Sequence, residues 1–326
     1  MQICFDILTN NRFSSDISKM TDALAVPSRP KPDQADPSFA TTLAHGLDVL
    51  AAFRNAPAGP LSNADLATFT GLSRPTVSRL TYTLAQLGYL KRDAKGRFEL
   101  GLGVLATAYP LLSAIKIRQM ARPLMRDFAA YAGGTVSIAM PFGLDFIYVE
   151  TLRTTDAVTH NPDVGFSSSL APTAVGRALL SLFTKDELDA YVARVRAERP
   201  EEADYVERRT LADVELCRER GFAISLGEWR REIFGVAAPL YRTATGDCLA
   251  INCGIPSFRF SAEQIERECA PRILGLARSI RSLAETINRA RRDTTHQSND
   301  ATIMGGMNAR QNRSWHRRKR YRGPVD

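Results

Sequence analysis

Residues 62–90 read SNADLATFTGLSRPTVSRLTYTLAQLGYL and contain the clearest helix start and stop signals in the N-terminal part of the chain. Ser62 or Asn63 can cap a short helix, and Gly71 can end it in the left-handed conformation that glycine adopts without strain. Ser73 can cap the next helix, whose first turn contains a proline, where the missing N–H group costs nothing. The stretch predicts two helices joined by a four-residue connection.

The segments on either side complete a recognisable motif. Residues 42–55 repeat apolar side chains at helical spacing, and residues 89–100 read as two short strands around the turn at 93–96. Three helices followed by a β-hairpin are the order of a winged helix-turn-helix domain, here residues 38–101. The inner face of the third helix is expected to carry four apolar residues, Val77, Leu80, Leu84 and Leu87.

The outward side chains of this domain suit nucleic acid. Residues 38–100 hold 7 basic and 4 acidic side chains, whereas residues 101–292 are nearly balanced, with 25 and 23. Donors on a recognition helix can reach base edges, and cations on a wing can reach phosphates. The candidate DNA contacts are Ser73, Arg74, Thr76, Ser78, Arg79, Tyr82, Lys95 and Arg97. The alternative is a small helical domain with a solvated basic face.

The rest of the chain predicts a connecting helix and a second, larger domain. Residues 102–117 are apolar and helical in pattern, with prolines at 110 and 123 suggesting starts or kinks near the connection. From 118 to 290, strands and helices alternate irregularly, which favours an α+β domain around one largely antiparallel sheet. The expected strands are 136–140, 146–152, 223–226, 236–240 and 248–253, and the expected helices are 172–183, 186–199 and 261–289.

Both ends of the chain are expected to be disordered. Residues 1–37 are polar and rich in proline, and Met20 could equally be the true start. Residues 291–326 form a basic tail without apolar periodicity. A second phosphate-binding arm is the alternative for this tail.

Composition excludes several classes of protein. The chain has 326 residues, of which 44% are hydrophobic, and its net charge is +8. It is too long for one compact core, so two folded domains are expected. No apolar run reaches the roughly 18 residues that span a bilayer, and the N-terminus lacks a signal-peptide pattern. The five cysteines are scattered without a C-x-x-C pair, so a disulfide framework or thiolate zinc site is not indicated. A reducing cytoplasm fits best.

Specific motifs in both domains resemble the IclR family of bacterial transcriptional regulators. They are the residues GLSRPTVSRL at 71–80, LGYL at 87–90, FIYVE at 146–150, AVGRALL at 174–180, RGFA at 220–223, VAAPL at 236–240 and AINCG at 250–254. The resemblance covers roughly residues 40–290. It implies a winged helix, a linker helix and a GAF-like domain that binds a small organic effector, assembled as a homodimer or tetramer on palindromic double-stranded operator DNA.

The resemblance also implies an effector pocket, with departures from the family pattern. Family members often hold a small carboxylate with an aspartate, a cysteine and two serines. The matched positions here hold Ser225, Gly235, Asn252 and Gly254, and the first, second and fourth of these depart from that set. The change predicts a roomier pocket for a hydrophobic or aromatic carboxylate. The expected effector site is Thr173, Ser225, Trp229, Phe234, Gly235, Asn252 and Gly254, although Trp229 and Phe234 could equally serve only to pack the domain.

An enzyme is not indicated by the motifs. The chain lacks a nucleophile elbow, a Walker A motif, a dinucleotide fingerprint and a zinc signature, so no cofactor or metal is expected. His160 and Asp163 could form a histidine–carboxylate pair that acts as a general base, or half of a metal site. An exposed pair of loop residues without such a role is favoured. The predicted function is a DNA-binding transcriptional regulator that responds to an effector. The alternative is an effector-independent architectural protein that binds nucleic acid.

Overall fold

The computed structural model describes residues 37–54, 59–153 and 162–286 of the chain. The predicted arm, except Pro37, and the predicted basic tail lie outside these residues, as does His160. A small N-terminal domain precedes a helical connection and a larger domain built on one sheet. None of the helices in the described ranges is both long and apolar enough to cross a membrane.

The N-terminal domain consists of three helices and a two-stranded hairpin, in the predicted order. The elements are Thr41–Ala52 (α1), Asn63–Thr70 (α2), Arg74–Gln86 (α3), Leu90–Arg92 (β1) and Phe98–Leu100 (β2). Leu61 and Phe98 exchange two backbone hydrogen bonds of 2.8 and 2.7 Å, which extends the hairpin by one bridge. The expected winged helix-turn-helix is confirmed.

The core of this domain is formed by buried apolar side chains from every element: Val49, Ala52, Leu61, Leu66, Val77, Leu90 and Phe98. Leu80 and Leu84 pack against it from α3, as expected. The prediction that Leu87 also faces inward is wrong, because its side chain is 64% exposed. Leu87 is the C-terminal cap of α3, and Gly88, with φ of 75°, turns the chain away directly after it.

The connection between the domains is two helices rather than one. They are Leu102–Ala114 (α4) and Ile117–Ala132 (α5). The linker helix, predicted to cover residues 102–117, therefore ends three residues earlier than expected. Pro110 and Pro123 lie inside these helices, and the chain instead breaks at Ile115, whose ψ of 71° is not helical. No residue of α4 is buried in the described chain, whereas α5 buries six residues against the larger domain.

The larger domain is an α+β fold around a six-stranded antiparallel sheet, as predicted. Its strands are Thr135–Phe142 (β3), Asp145–Arg153 (β4), Ser167–Ser169 (β5), Ala223–Arg230 (β6), Ile233–Arg242 (β7) and Cys248–Pro256 (β8), arranged β5-β4-β3-β8-β7-β6. Its further helices are Ala174–Leu180 (α6), Lys185–Glu198 (α7), Pro200–Tyr205 (α8), Leu211–Arg220 (α9), Ala262–Gln264 (α10) and 270–286 (α11), with π-helical turns at Val206–Thr210 and Ile265–Cys269.

The two faces of the sheet carry separate cores. On one face, α5 and α11 cover side chains such as Val136, Ile251 and Cys253. On the other face, α6 packs on Ala139 and Ala250. Side chains alternate between the faces along each strand, so the residues that point toward α6 are set by the strand register.

The segment from 200 to 220 is helical, which the sequence analysis did not predict. Its residues are mostly charged, and its buried side chains from α9 are Val214 and Cys217. The apolar periodicity is therefore too sparse to indicate a helix.

One arginine of the N-terminal domain contacts the larger domain. The Arg54 guanidinium, just after α1, lies 5.2 Å from the ring centroid of Phe142 and hydrogen-bonds the Ser167 hydroxyl. Desolvation in this contact lowers the pKa of Arg54, and the charge of Asp145 opposes that shift. The two domains thus meet through a cation over an aromatic ring.

Candidate functional site

The third helix presents a polar face to solvent. Arg74, Ser78, Arg79 and Tyr82 are exposed on α3, and the Tyr82 side chain is 67% exposed. The hydroxyls of Ser73 and Thr76 lie 2.9 Å apart at the start of the helix, and Ser73 Oγ also accepts the Thr76 N–H at 3.4 Å. Ser73 thus caps the helix and the Thr76 hydroxyl is paired with it, so the exposed side chains are better placed to reach a ligand.

A buried hydrogen bond that the sequence analysis missed holds α3 against α2. The Thr81 hydroxyl donates to Asn63 Oδ1 at 3.0 Å, and Thr81 is fully buried. A polar pair of this kind fixes the relative orientation of the two helices, because leaving either group unpaired would cost free energy.

The hairpin is held together by its own charges. Arg97 Nε lies 3.0 Å from Asp93 Oδ2, and Lys91 Nζ lies 3.3 Å from Glu99 Oε2. Backbone hydrogen bonds from Arg97 and Lys95 help lower the pKa of Asp93. Within the described part of the chain, the Lys95 ammonium is exposed and has no partner, so it is the cation at this tip that is freest to meet a phosphate.

A narrow pocket opens between the sheet and the start of α6 in the larger domain. Its empty volume is about 570 Å³ including the open mouth. The lining residues are Thr135, Phe146, Tyr148, Pro162, Phe166, Thr173, Ala174, Val175, Ser225, Trp229, Ile233, Gly235, Asn252 and Gly254. A concave site with an aromatic lining and a few polar groups is typical of small-molecule binding.

The strand register brings four of these residues into one row. Ser225 pairs with Gly235, Gly235 with Gly254, and Gly254 with Thr135, across β6, β7, β8 and β3. Gly235 lets the start of α6 approach the sheet, since a Cβ there would lie 3.3 Å from the Cβ of Ala174, whereas Gly254 leaves open space beside it.

Two residues of the AVGRALL motif fix α6 above this row. A Cβ atom on Gly176 would lie 1.8 Å from the carbonyl oxygen of Leu170, so only glycine allows the helix to approach so closely. The buried Arg177 guanidinium donates to the Ile224 carbonyl at 2.6 Å and to the Tyr205 hydroxyl at 2.8 Å. It also pairs with Asp213 at 3.2 Å. The Arg177 guanidinium is therefore bound to β6 and to the helical segment 200–220, and Arg177 does not line the pocket.

The polar groups of the pocket floor are buried and mostly hydrogen-bonded. Asn252 Nδ2 donates to Tyr148 Oη at 2.8 Å, and burial raises the pKa of that phenol well above its usual value. Ser225 Oγ donates to the Pro172 carbonyl at 3.2 Å. The Thr173 hydroxyl accepts the Gly176 N–H at 3.1 Å as the N-terminal cap of α6.

Aromatic rings form the wall of the pocket. Phe146 and Tyr148 have ring centroids 5.0 Å apart, and Phe166 meets Tyr148 at 5.7 Å. Trp229 meets Phe166 edge-on at 6.0 Å at the half-exposed rim. The Arg230 guanidinium lies 4.8 Å from the centroid of Trp229, outside the lining. Within the described ranges no charged side chain lines the pocket, so the interior is aromatic and neutral.

Six of the seven expected effector residues line this one pocket, namely Thr173, Ser225, Trp229, Gly235, Asn252 and Gly254. Phe234 does not: it packs against the core beneath α5 and α11. Gly235 faces α6, so its neighbour in the strand must face the opposite side. Phe146 and Tyr148 were missed because they read as ordinary positions of the predicted strand 146–152. Phe166 was missed because it lies outside every predicted strand and helix.

A metal site requires several ligating side chains close together. The described residues include no cluster of three or more histidine, cysteine or acidic side chains that could hold a metal ion. Asp163, the proposed partner of His160, accepts a hydrogen bond from the backbone N–H of Val164 at 2.7 Å. The candidate sites are thus a surface for nucleic acid and a pocket for a small molecule.

A winged helix-turn-helix joined to a domain with a ligand pocket defines a DNA-binding transcriptional regulator that responds to an effector. Residues 42–94 match the family model "IclR helix-turn-helix domain", and residues 110–282 match "Bacterial transcriptional regulator IclR C-terminal". The chain belongs to the IclR family, as its motifs predicted.

Solved structures and curated relatives are similar over most of the chain. An IclR-family transcriptional regulator from Brucella abortus is 34% identical, with a TM-score of 0.67, over 79% of this chain and 98% of that one. The Pca regulon regulatory protein of Pseudomonas putida is 24% identical over 75% of this chain and 84% of its own. An IclR homologue from Microbacterium hydrocarbonoxydans, solved with 4-hydroxybenzoate, is 20% identical over 73% of this chain and 99% of that one, with a TM-score of 0.56.

Proposed function

We propose that the effector of this regulator is a small aromatic monocarboxylate that binds in the pocket beside α6. The observation that carries the proposal is the composition of the lining. Phe146, Tyr148, Phe166 and Trp229 surround a floor to which the described residues contribute no charged group. Aromatic rings favour other aromatic rings in offset or edge-on contacts. A flat ring can enter the narrow space beside Gly254, where a Cβ atom would meet only the Ile233 side chain, at 3.8 Å.

The charge distribution supports a single negative charge at the mouth. A phosphate or dicarboxylate deep in the pocket would lose its hydration without gaining a cation, which is unfavourable. Arg230 supplies a positive charge beside the rim, where it stacks on Trp229. A carboxylate at that position keeps contact with water while its ring is buried.

One of the similar proteins was solved with a ligand of this class. The ligand is 4-hydroxybenzoate, an aromatic monocarboxylate, although that protein's identity of 20% to this chain supports the shared fold alone. The pocket residues of this chain therefore remain the main support.

The proposed operator contacts are the helix residues Ser73, Arg74, Thr76, Ser78, Arg79 and Tyr82 and the wing residues Lys95 and Arg97. Support comes from the exposure of Arg74, Ser78, Arg79, Tyr82 and Lys95. Ser73 and Thr76 are engaged as a helix cap, and Arg97 is paired with Asp93. A helix N-terminus can still bring backbone N–H groups to a phosphate.

The proposed assembly is a homodimer or tetramer in the cytoplasm. Helix α4 leaves Leu102, Leu105 and Tyr109 between 63% and 83% exposed, at positions i, i+3 and i+7 of one helix face. Such a stripe of apolar side chains is stabilised when a second copy covers it. A twofold pair would also present two recognition helices to a palindrome.

The protein acts by binding rather than by catalysis in this proposal. The competing hypothesis, an architectural protein without an effector, has the basic N-terminal domain in its favour. It leaves the pocket of the larger domain without a role.

A ligand screen separates the two hypotheses. Thermal unfolding is followed with benzoate and phenylacetate against succinate and inorganic phosphate, each at 1 to 10 mM. The release of an operator duplex, selected in vitro from random sequences, is measured with the same compounds. We expect the aromatic acids to raise the Tm by mass action and to change operator affinity. The architectural hypothesis prevails if none of them changes either quantity.

A further inference from the structure

The structure assigns a second recognition task to the pocket: the pair Tyr148 and Asn252 reads a hydroxyl group on the ring of the effector. This inference rests on the proposed function, because it concerns the same pocket, and it narrows the ligand class to hydroxylated aromatic acids. It depends on which hydrogen-bonding atoms of the pair are already used.

The pair offers one donor and one acceptor to the pocket. Asn252 Nδ2 donates to Tyr148 Oη at 2.8 Å. Among the described residues, this is the only hydrogen bond made by either of the two side chains. The phenol proton of Tyr148 and the carbonyl oxygen Oδ1 of Asn252 remain available. Both residues are at most 7% exposed and both line the pocket.

The position of Asn252 Oδ1 shows that it faces the ligand space. A Cβ atom built on Gly235 would lie 4.0 Å from this oxygen, and Gly235 itself lines the pocket. Among the described residues no donor reaches this oxygen, so a ligand hydroxyl can hydrogen-bond to it in place of water.

A hydroxyl group matches this pair better than a carboxylate does. A hydroxyl can accept the Tyr148 proton and donate its own proton to Asn252 Oδ1, which satisfies both groups. A carboxylate accepts only, so it would place negative charge against the amide oxygen. Burial keeps the Tyr148 phenol protonated, since it raises the pKa of that group.

The pair also sets the orientation of the ligand. Tyr148 and Asn252 are buried in the floor, whereas Trp229 and the adjacent Arg230 lie at the rim. The hydroxyl therefore points inward, the ring lies beside Phe146 and Phe166, and the carboxylate points outward toward Arg230.

The test compares ligands that differ by one group. Dissociation constants are measured calorimetrically for 3- and 4-hydroxybenzoate against 3- and 4-methylbenzoate, and for phenol against toluene. The proteins are the full chain, Tyr148→Phe, and Tyr241→Phe as a matched control at a partly buried tyrosine of β7 outside the pocket lining. We expect at least one hydroxylated acid to bind the full chain tenfold or more tightly than its methyl analogue.

The variants give the decisive comparison. Tyr148→Phe should lose most of the hydroxyl preference and keep its affinity for the methylated acid, whereas Tyr241→Phe should keep the preference. A preference that survives in Tyr148→Phe, or is absent from the full chain, overturns the inference. If phenol shows a preference that depends on Tyr148 while no acid binds, the proposed carboxylate effector fails and the pair stands. If no compound binds, both are overturned.

Discussion

A Cβ atom placed on Gly235 would lie 3.3 Å from the Cβ of Ala174, so the sheet and α6 approach closely at the centre of the pocket. Any side chain at position 235 would fill the ligand space and also press on the helix. At Gly254, one strand away, a Cβ would meet only the Ile233 side chain, at 3.8 Å. The second glycine is therefore the better position for a change that fills the pocket and spares the fold.

We expect Gly254→Leu to weaken effector binding at least tenfold and to leave operator affinity unchanged, because the pocket and the recognition helix lie in separate domains. Gly235→Phe should weaken effector binding as well, but it should also lower the Tm, because overpacking costs about 1 to 3 kcal/mol. Calorimetry, thermal unfolding and operator binding provide the three measurements. A folded Gly254→Leu protein that responds normally to its effector would place the effector elsewhere.

Arg74 and Lys95 should contribute differently to operator binding. Arg74 is exposed in the first turn of α3, so Arg74→Ala is expected to cost about 1 to 3 kcal/mol at the selected operator if it binds a guanine through two hydrogen bonds. Lys95→Ala should weaken operator and random duplexes alike and reduce the salt slope by about 0.9. Gel-shift titrations at several salt concentrations measure both effects. If Arg74→Ala lost the same affinity for the operator as for random duplexes, Arg74 would contact a phosphate rather than a base.

The sequence identified the N-terminal domain well because its signals are local. Ser62, Gly71 and Ser73 take the capping positions that the pattern predicted, and the wing follows at the expected place. Asn63, the alternative cap, is instead the first residue of α2.

The pocket could be predicted only in part, because it depends on contacts between distant strands. Ser225, Gly235 and Gly254 were found through the family resemblance, and the strand register places them in one row. Phe234 was assigned to the pocket from its proximity in sequence, although neighbouring strand residues face opposite sides. Tyr148 was missed because its hydrogen bond reaches across 104 residues to Asn252.

The contact of Arg54 with the larger domain predicts a role in coupling the two sites. Its partner Ser167 directly follows Phe166, a wall of the pocket, and its electrostatic partner Asp145 precedes Phe146. We expect Arg54→Ala to reduce the ratio of operator affinities with and without effector toward 1, while effector binding itself changes little. Exposed Arg231→Ala is the matched control. An unchanged ratio in Arg54→Ala would show that coupling passes through other contacts.

The apolar stripe on α4 predicts how copies of the chain associate. The Tyr89 and Thr107 hydroxyls, 3.0 Å apart, fix α4 to the N-terminal domain, and Leu105 and Tyr109 remain exposed on it. Replacing both Leu105 and Tyr109 with Glu should weaken self-association at least tenfold, because each charge would be buried in the interface. Sedimentation at micromolar concentration measures this effect, with Leu226→Glu on edge strand β6 as the control. A double variant as oligomeric as the unmodified chain would place the interface elsewhere.

The ion pair between Glu187 and Arg242 predicts how stability depends on pH. The guanidinium binds both carboxylate oxygens, at 2.6 and 2.7 Å, and these hydrogen bonds are the main cause that lowers the pKa of Glu187 from 4.5 to about 2. Because the folded pKa lies below the unfolded one, the stabilisation is complete above about pH 4.5 and is lost as the pH falls toward 2.

The matched substitution is Glu187→Gln, which keeps an acceptor for the backbone N–H of Thr184 in the capping box of α7. The pair is 42% and 33% exposed, so solvent screening limits the expected loss to about 0.5 to 1 kcal/mol at pH 7. Urea unfolding at pH 7, 5, 4 and 3 should show the difference from the unmodified chain shrinking as the pH falls below 4.5. Asp189→Asn, an exposed carboxylate on the same helix, should show no such trend. A difference that stays constant from pH 7 to pH 3 would mean that the charge of Glu187 does not stabilise the fold.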